Sequence, residues 1–102
     1  MTMYKLWAER IEDGDGKWFP YSFDTVEEAR AFAGKHTSGF VKGRYIIAIY
    51  RNTGRTVRRI EEVFRENRAL RCKDLTTKKQ IVYSLGTNGE LKEAIGERGI
   101  RW

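Results

Sequence analysis

Apolar and polar residues alternate over residues 3–11, near the beginning of the chain. Because successive side chains of a β-strand point to opposite faces of a sheet, this alternation predicts a strand. Tyr4, Leu6 and Ala8 fall on one face of that strand, and we expect this face to be the better buried of the two.

A second strand is predicted at residues 17–23, after the turn sequence Asp-Gly-Asp-Gly at residues 13–16. Aspartate and glycine tolerate the positive φ angles that tight hairpin turns require. Pro20 has no amide proton and cannot donate a hydrogen bond to a neighbouring strand. The second strand is therefore predicted to lie at an edge of the sheet.

Helical periodicity replaces the alternation after residue 23. A capping side chain is available at Asp24 or Thr25, and glutamates follow at residues 27–28, as in a capping box. Gly34 is the predicted C-terminal stop. The apolar stripe of this predicted helix recurs at helical spacing and consists of Val26, Ala29, Phe32 and Ala33.

A continuous apolar run, Tyr-Ile-Ile-Ala-Ile-Tyr at residues 45–50, lies within a strand predicted over residues 44–51. Its β-branched and aromatic residues are typical of a central strand covered on both faces. A turn at residues 52–54 leads into a charged strand at residues 55–64, of which at least one face should meet solvent or a ligand. A helix over residues 59–68 is the alternative for this charged segment.

The C-terminal part of the chain predicts a hairpin, with strands at residues 69–74 and 79–85 around a turn at residues 75–78. Residues 99–102 predict a last strand. Between them we expect a short helix that Asn88 could cap. The apolar positions of this expected helix are Leu91, Ala94 and Ile95.

Residues 17–34 resemble residues 79–96 at an offset of 62 positions. Two interpretations stay open: a ββα pseudo-repeat, or chance, since junctions between strands and helices select the same residue types anyway. The whole pattern predicts one α+β domain over residues 1–102, mainly an antiparallel sheet with two short helices.

Positive charge is concentrated in the middle of the chain. The formal net charge is +6 over 102 residues. Residues 42–79 carry 12 Lys and Arg, eight of them Arg, against 4 Asp and Glu, whereas residues 1–41 carry 5 against 7. The planar fork of Arg matches phosphate oxygens and stacks on bases, so this bias favours a phosphorylated or nucleic-acid ligand.

The sequence indicates a cytoplasmic protein without membrane association. No apolar stretch approaches the roughly 18 residues of a membrane span, and the N-terminal segment reaches acidic residues too early for a signal peptide. Cys72 is the single cysteine, which excludes an internal disulfide and fits a reducing compartment. Since it lies in an alternating segment, we expect a buried structural thiol.

Little in the sequence points to catalysis, a cofactor or a metal. His36 is the single histidine, and with Cys72 it offers the sole pair of base and nucleophile. The chain contains no phosphate-loop or dinucleotide-binding motif. The turn at residues 13–16 resembles the start of a calcium loop, but Lys17 occupies a ligand position. The glutamates at residues 61–66 alternate with arginines, as in surface ion pairs. We therefore expect a non-catalytic protein.

The candidate binding site lies in the basic segment. If residues 55–64 form a strand, Arg55 and Arg59 share one face, and a nearby tyrosine could stack on the bases of single-stranded nucleic acid. The predicted partner is nucleic acid or a phosphorylated small molecule such as a nucleotide; the alternative is a solvated charged face. The candidate ligand-binding residues are Arg44, Tyr45, Tyr50, Arg51, Arg55, Arg58, Arg59, Arg65 and Arg68.

A protein-binding inhibitor or adaptor is the second hypothesis. A basic face suits an acidic protein partner, and self-association of the chain is left open. The aromatic residues proposed for such an interface are of types enriched at binding hot spots, namely Trp7, Trp18, Phe19 and Tyr21.

The segments FDTVEEARAFA and KGRYIIAIY resemble, in general character, small accessory proteins of phages and mobile elements. The resemblance covers about residues 1–60. This class includes inhibitors of bacterial defence systems, which occupy a host protein or sequester a nucleotide signal, and the resemblance assigns no residue to that role.

Overall fold

The structure, a computed structural model, describes residues 2–36, 45–66 and 68–98. This part of the chain forms one antiparallel sheet of seven strands and one helix, in the spatial strand order β2-β1-β3-β4-β5-β6-β7. The elements in chain order are β1 (Met3–Arg10), β2 (Gly16–Phe23), α1 (Val26–His36), β3 (Tyr45–Asn52), β4 (Val57–Glu66), β5 (Ala69–Asp74), β6 (Gln80–Leu85) and β7 (Leu91–Arg98).

The sheet curls into a half-barrel around α1. A flat sheet of seven strands is about 29 Å wide, six spacings of about 4.8 Å, whereas a helix with its side chains is only about 10 Å across. Yet α1 contacts β1, β2, β3 and β4 and also β7 at the opposite edge. The sheet must therefore bend, which gives it a concave face that holds α1 and a convex face that points away from it.

The core lies between α1 and the concave face. The register of the strands determines which side chains share this face. Leu6 pairs with Ile49 and Ala8 pairs with Ile47, so these four side chains all point into the core. Ala48 on the convex face is also fully buried, and β3 is an interior strand of the sheet, as predicted. Ile46 and Tyr50 on the convex face are only half-buried, so the predicted coverage of both faces is confirmed in part. The buried core residues are Leu6, Ala8, Ala29, Ala33, Ile47, Ile49, Val63, Leu70, Cys72 and Leu85.

The prediction of α1 is confirmed at its start and is wrong at its end. The amide N–H of Glu28 donates to Thr25 Oγ1 at 3.1 Å, and the Thr25 hydroxyl donates to the Glu28 carboxylate at 3.2 Å. The helix continues past Gly34 to His36. Gly34 serves close packing instead, because a Cβ there would lie 2.8 Å from the carbonyl oxygen of Gly89.

The predicted second helix is wrong, because residues Leu91–Arg98 form the strand β7. Leu91 pairs directly with Leu85 across a closed turn. In that turn Gly86 N–H donates to the Glu90 carbonyl at 2.9 Å, and Gly89 adopts a φ of 82° that favours glycine. With one helix in the described residues, the ββα pseudo-repeat is not confirmed.

Two further predictions concern β4 and the chain end. The helical alternative for residues 59–68 is wrong, because residues 57–66 belong to β4. The hairpin predicted around residues 75–78 is confirmed by β5 and β6. The predicted last strand at residues 99–102 lies outside the described residues.

The edge position predicted for β2 is confirmed. Lys5 pairs with Ser22 and Trp7 pairs with Trp18, so residues 19–21 of β2 lie opposite a single residue of β1. Pro20 lies in this bulge, where a missing amide proton does no harm. Because the bulge adds two residues, the alternation of faces is preserved and Trp18 stays on the convex face.

Candidate functional site

The hairpin between β3 and β4 is closed by hydrogen bonds from its own residues. Gly54 N–H donates to Asn52 Oδ1 at 2.8 Å, and Thr53 N–H donates to the Thr56 carbonyl at 3.0 Å. Gly54 has a φ of 88°, a conformation that suits glycine. Arg55 lies within this well-bonded turn rather than in a strand, so the hairpin presents it on a fixed backbone.

Three arginines surround this turn, and we call Arg51, Arg55 and Arg58 the hairpin arginines. Arg51 and Arg58 are direct cross-strand neighbours, and all three are exposed. None of them forms an ion pair or side-chain hydrogen bond with the residues that the structure describes. Like charges directly opposite each other destabilise a sheet unless an anion compensates for them.

The carboxylates near the hairpin arginines are engaged elsewhere. Glu61, on the same strand, is bound to Arg30. Asp74 accepts hydrogen bonds from the backbone amides of Thr76 at 2.7 Å and Thr77 at 3.0 Å, which lower the pKa of this carboxyl below its usual value. Neither of these two carboxylates therefore forms an ion pair with the hairpin arginines.

Arg59 occupies the convex face and is held by its neighbours. Its guanidinium donates to Tyr50 Oη at 3.0 Å, to Glu9 at 3.1 Å and to Glu62 at 3.3 Å. Burial alone would lower the pKa of Arg59, but its interactions with Tyr50 and Glu9 outweigh burial and raise it. Arg59 is thus part of a polar network that ties β1, β3 and β4 together, and Arg55 is not beside it on a strand face.

Three aromatic rings lie next to this network, and we call Trp7, Trp18 and Tyr50 the aromatic surface. The Trp18 ring meets Trp7 and Tyr50 edge-on, with centroid distances of 5.0 and 4.9 Å. Lys5 Nζ lies 5.8 Å from the Trp18 ring centroid. Trp18 nevertheless remains 42% exposed. Large exposed aromatics held in a fixed orientation are candidates for contact with a ligand.

The nine predicted site residues do not form one surface. Tyr45 begins β3 at the end opposite the hairpin and pairs with Arg10. Arg65 donates to the carbonyl of Gly34 at 2.9 Å and so holds the end of α1. Arg68 is exposed in the turn between β4 and β5, also at the opposite end. Arg44 lies outside the described residues.

The aromatic residues predicted for a protein interface also divide between the two faces. Trp7 and Trp18 lie on the convex face, whereas Phe19 and Tyr21 turn towards Phe32 of α1, with ring centroids 5.7 and 5.3 Å away. Tyr21 is 54% exposed at the edge of the sheet. Two separate aromatic groups therefore exist, and only the one on the convex face adjoins the β3–β4 hairpin.

An ion pair beneath α1 corrects the interpretation of Glu61 as a surface charge. Arg30 binds Glu61 through two hydrogen bonds of 2.7 and 2.6 Å, and Arg30 Nη1 donates to Tyr83 Oη at 3.0 Å. Arg30 is 8% and Glu61 3% exposed. The sequence did contain a signal for the burial of Arg30. Arg30 follows Ala29 and lies four residues after Val26, so it falls on the buried stripe of the helix.

Cys72 lies beside this ion pair and is fully buried, which confirms the prediction of a buried thiol. Burial raises the pKa of Cys72 well above its usual value, and the charge of Glu61 adds to the effect. His36 instead stacks on Phe32, at a centroid distance of 4.3 Å. His36 is exposed, whereas Cys72 is buried, and no hydrogen bond joins the two side chains.

A cavity of about 220 Å³ opens next to Cys72 on the concave face; it is lined by Arg30, Cys72, Asp74, Thr77, Lys79 and Ile81. Arg30 and Asp74 in its wall already have partners within the protein, so they offer little to a ligand. The hairpin arginines and the aromatic surface are the better candidates for a site.

Asp13 of the turn that resembles a calcium loop binds Arg10, at 2.6 and 3.0 Å, and accepts the Asp15 amide. No cluster of three His, Cys, Asp or Glu side chains suited to a metal occurs in the described part of the chain. Among the same residues, no helix is long and apolar enough to cross a membrane.

Comparison with protein-family models, curated proteins and solved structures finds no match to this chain.

Proposed function

We propose that this chain is a non-catalytic binding protein that holds a phosphate-bearing ligand, a nucleic acid or a nucleotide, on the β3–β4 hairpin. One observation carries the proposal: Arg51, Arg55 and Arg58 are exposed and unpaired among the described residues, on a turn that hydrogen bonds hold in place. A phosphate supplies the anion that this arrangement lacks.

The spacing of the hairpin arginines suits phosphate oxygens. Cβ atoms of direct cross-strand neighbours lie about 5 Å apart, so Arg51 and Arg58 can reach one phosphate or two successive ones. Arg55 extends the positive region beyond the end of the sheet. Arginine forms paired hydrogen bonds to phosphate in a fixed plane, and it keeps its charge at every physiological pH.

The exposed arginines also have a simpler explanation without a ligand, because a solvated charged hairpin keeps a small domain soluble. Solubility requires no particular position for the charges. The matched removal of charge from two parts of the surface therefore separates site-specific binding from a general electrostatic effect.

The test compares two triple variants that each lower the net charge by three. The hairpin variant carries Arg51→Gln, Arg55→Gln and Arg58→Gln. The control variant carries Lys17→Gln, Lys35→Gln and Arg68→Gln, all exposed residues at the opposite end of the sheet. Binding of a fluorescent oligonucleotide is followed by anisotropy at one salt concentration.

The hairpin variant should bind far more weakly than the control variant. A hydrogen bond to a charged group contributes about 1.5 kcal/mol, so three of them correspond to as much as roughly 10³-fold in affinity. Equal weakening of binding in the two variants would mean that affinity depends on net charge and not on the hairpin, which would contradict the proposal. Unchanged binding by the hairpin variant would also disprove it.

A second candidate function is a protein-binding inhibitor, of the kind that the resemblance to phage accessory proteins implies. The observation that favours it is the 54% exposure of Tyr21 on the edge strand β2, where its ring contacts Phe32, which in turn contacts His36. A stoichiometric complex that survives high salt and is lost on Tyr21→Ala, but not in the hairpin variant, would support this function instead.

A further inference from the structure

The aromatic surface lies on the strand that leads into the basic hairpin. Tyr50 directly precedes Arg51 in β3, and the turn begins only a few residues later. At a rise of about 3.4 Å per residue, the turn is roughly 10 Å from the Tyr50 ring. Trp18 lies farther from the turn, because it pairs with Trp7, and Trp7 pairs with Ala48, two residues before Tyr50. A ligand of several nucleotides is therefore needed to contact both the Trp18 ring and the hairpin arginines.

We propose that the ligand is a single-stranded nucleic acid, whose bases stack on the aromatic surface at Trp18 while its phosphates bind the hairpin arginines. This inference rests on the proposed function, which concerns the phosphate contacts alone. Stacking on aromatic rings combined with a basic path for the backbone is the usual way in which proteins bind single strands.

Trp18 is suited to stacking because its ring is both exposed and supported. Trp7 of the neighbouring strand β1 and Tyr50 of β3, the next strand beyond it, meet this ring edge-on. Gly16 keeps room for this arrangement, since a Cβ at Gly16 would lie 2.8 Å from the Trp7 ring. A ring that is already held in place loses little conformational entropy when a base binds.

Lys5 provides a positive charge beside the aromatic surface. On the convex face of β1, β3 and β4, the other described charged side chains are Arg59, Glu9 and Glu62. Both of these carboxylates already bind Arg59. Lys5 has no carboxylate partner among the described residues and lies over the Trp18 ring instead.

The geometry favours a single strand over a duplex for two reasons. By strand alternation, Trp18 and Tyr50 lie on the convex face, whereas Arg51 and Arg58 lie on the side of α1, so the ligand must bend around the end of the sheet. A duplex is stiff over about 150 base pairs and keeps its bases stacked inside. A flexible strand with free bases meets both requirements.

Stabilisation of the edge strand is the alternative role of these rings, because cross-strand aromatic pairs stabilise sheets. The experiment therefore needs a ligand that differs in its bases and not in its charge. We choose an oligothymidylate of about 12 nucleotides, within the range of known single-strand sites, and an abasic oligonucleotide of the same length. Poly-glutamate of similar length is the protein-like polyanion.

Wild-type protein should bind the oligothymidylate more tightly than the abasic strand, and only the former should quench tryptophan fluorescence. Trp18→Leu should reduce this preference by about fivefold to about a hundredfold, as expected for one stacked base, whereas Trp18→Phe retains most of it. The fluorescence measurement uses the wild-type chain and so holds even if a variant unfolds.

The outcomes separate the two proposals. Equal binding of both oligonucleotides, weakened for both in the hairpin variant, would overturn the stacking inference and leave the proposed function standing. Tighter binding of a duplex than of the single strand would also overturn the inference. Binding of poly-glutamate in preference to both oligonucleotides would overturn both proposals. Binding of no polyanion would overturn the stacking inference, and it would overturn the proposed function as well if a nucleoside triphosphate also fails to bind.

Discussion

The buried ion pair of Arg30 and Glu61 allows a sharp test of how α1 is held in the half-barrel. We choose Glu61→Gln, which keeps the size of the side chain and removes its charge. Glu61 accepts two hydrogen bonds of 2.7 and 2.6 Å from the guanidinium of Arg30, whose side chain is 10% exposed. The substitution removes the carboxylate that binds this charge, while Asp74 in the same cavity wall is already engaged by the amides of Thr76 and Thr77.

Loss of one partner of a buried pair costs about 3 to 5 kcal/mol, because the remaining charge is desolvated without compensation. A domain of this size has a total stability of about 5 to 15 kcal/mol, so the variant should be close to unfolding. At a urea dependence of about 2 kcal/mol per molar, a loss of 4 kcal/mol lowers the unfolding midpoint by roughly 2 M.

The assay is urea unfolding followed by circular dichroism, and the matched variant is Arg30→Met combined with Glu61→Gln. Removal of both charges should restore much of the stability, because no uncompensated charge stays buried. If Glu61→Gln alone lowers the free energy of unfolding by less than about 1 kcal/mol, the pair behaves as an exposed ion pair. This result would refute the burial of the pair between α1 and β4.

Two further predictions concern other contacts of the fold. Gly34→Ala should lower the stability by about 1 to 3 kcal/mol, because the new Cβ would lie 2.8 Å from the Gly89 carbonyl oxygen; an unchanged melting temperature would refute this close approach. Asp74→Asn should remove a contribution of about 1 kcal/mol that depends on pH. The folded pKa of Asp74 is depressed below 3.8, so its stabilisation is present above that pH and is lost as the pH falls through the folded pKa. The stability difference between wild type and Asp74→Asn should therefore narrow on acidification, and a constant difference from pH 6 to about pH 2.5 would contradict the assignment.

Local signals predicted much of the sheet. Pro20 indicated an edge strand, and the apolar run at residues 45–50 indicated a central one, because both patterns follow directly from how a strand is hydrogen-bonded and buried. The start of α1 was predictable for the same reason, since the Thr25 cap acts within one turn of the helix.

The segment that became β7 was not predictable from its own residues. Leu91 and Ala94 fit a helical stripe as well as a strand, and no neighbouring signal decided between them. Pairing of Leu91 with Leu85 across the turn at residues 86–90 decides in favour of the strand, and this contact depends on the tertiary fold.

The candidate site was predictable in its composition but not in its arrangement. Counting charges identified the basic segment, yet only the bounds of β3 and β4 show that Arg55 lies in a turn and that Arg59 has carboxylate partners. Trp18 was named as an exposed aromatic, but its position beside Tyr50 depends on β1 lying between β2 and β3. Long-range strand order is not encoded in local patterns.

The salt dependence of oligonucleotide binding tests the central claim most directly. Each phosphate contact to a single strand contributes about 0.7 to the slope of log affinity against log salt concentration. Between about 50 and about 200 mM salt, the hairpin variant should lose about 2 units of this slope relative to wild type, while the control variant keeps it. An unchanged slope in the hairpin variant, or an equal loss in the control variant, would contradict phosphate binding at Arg51, Arg55 and Arg58.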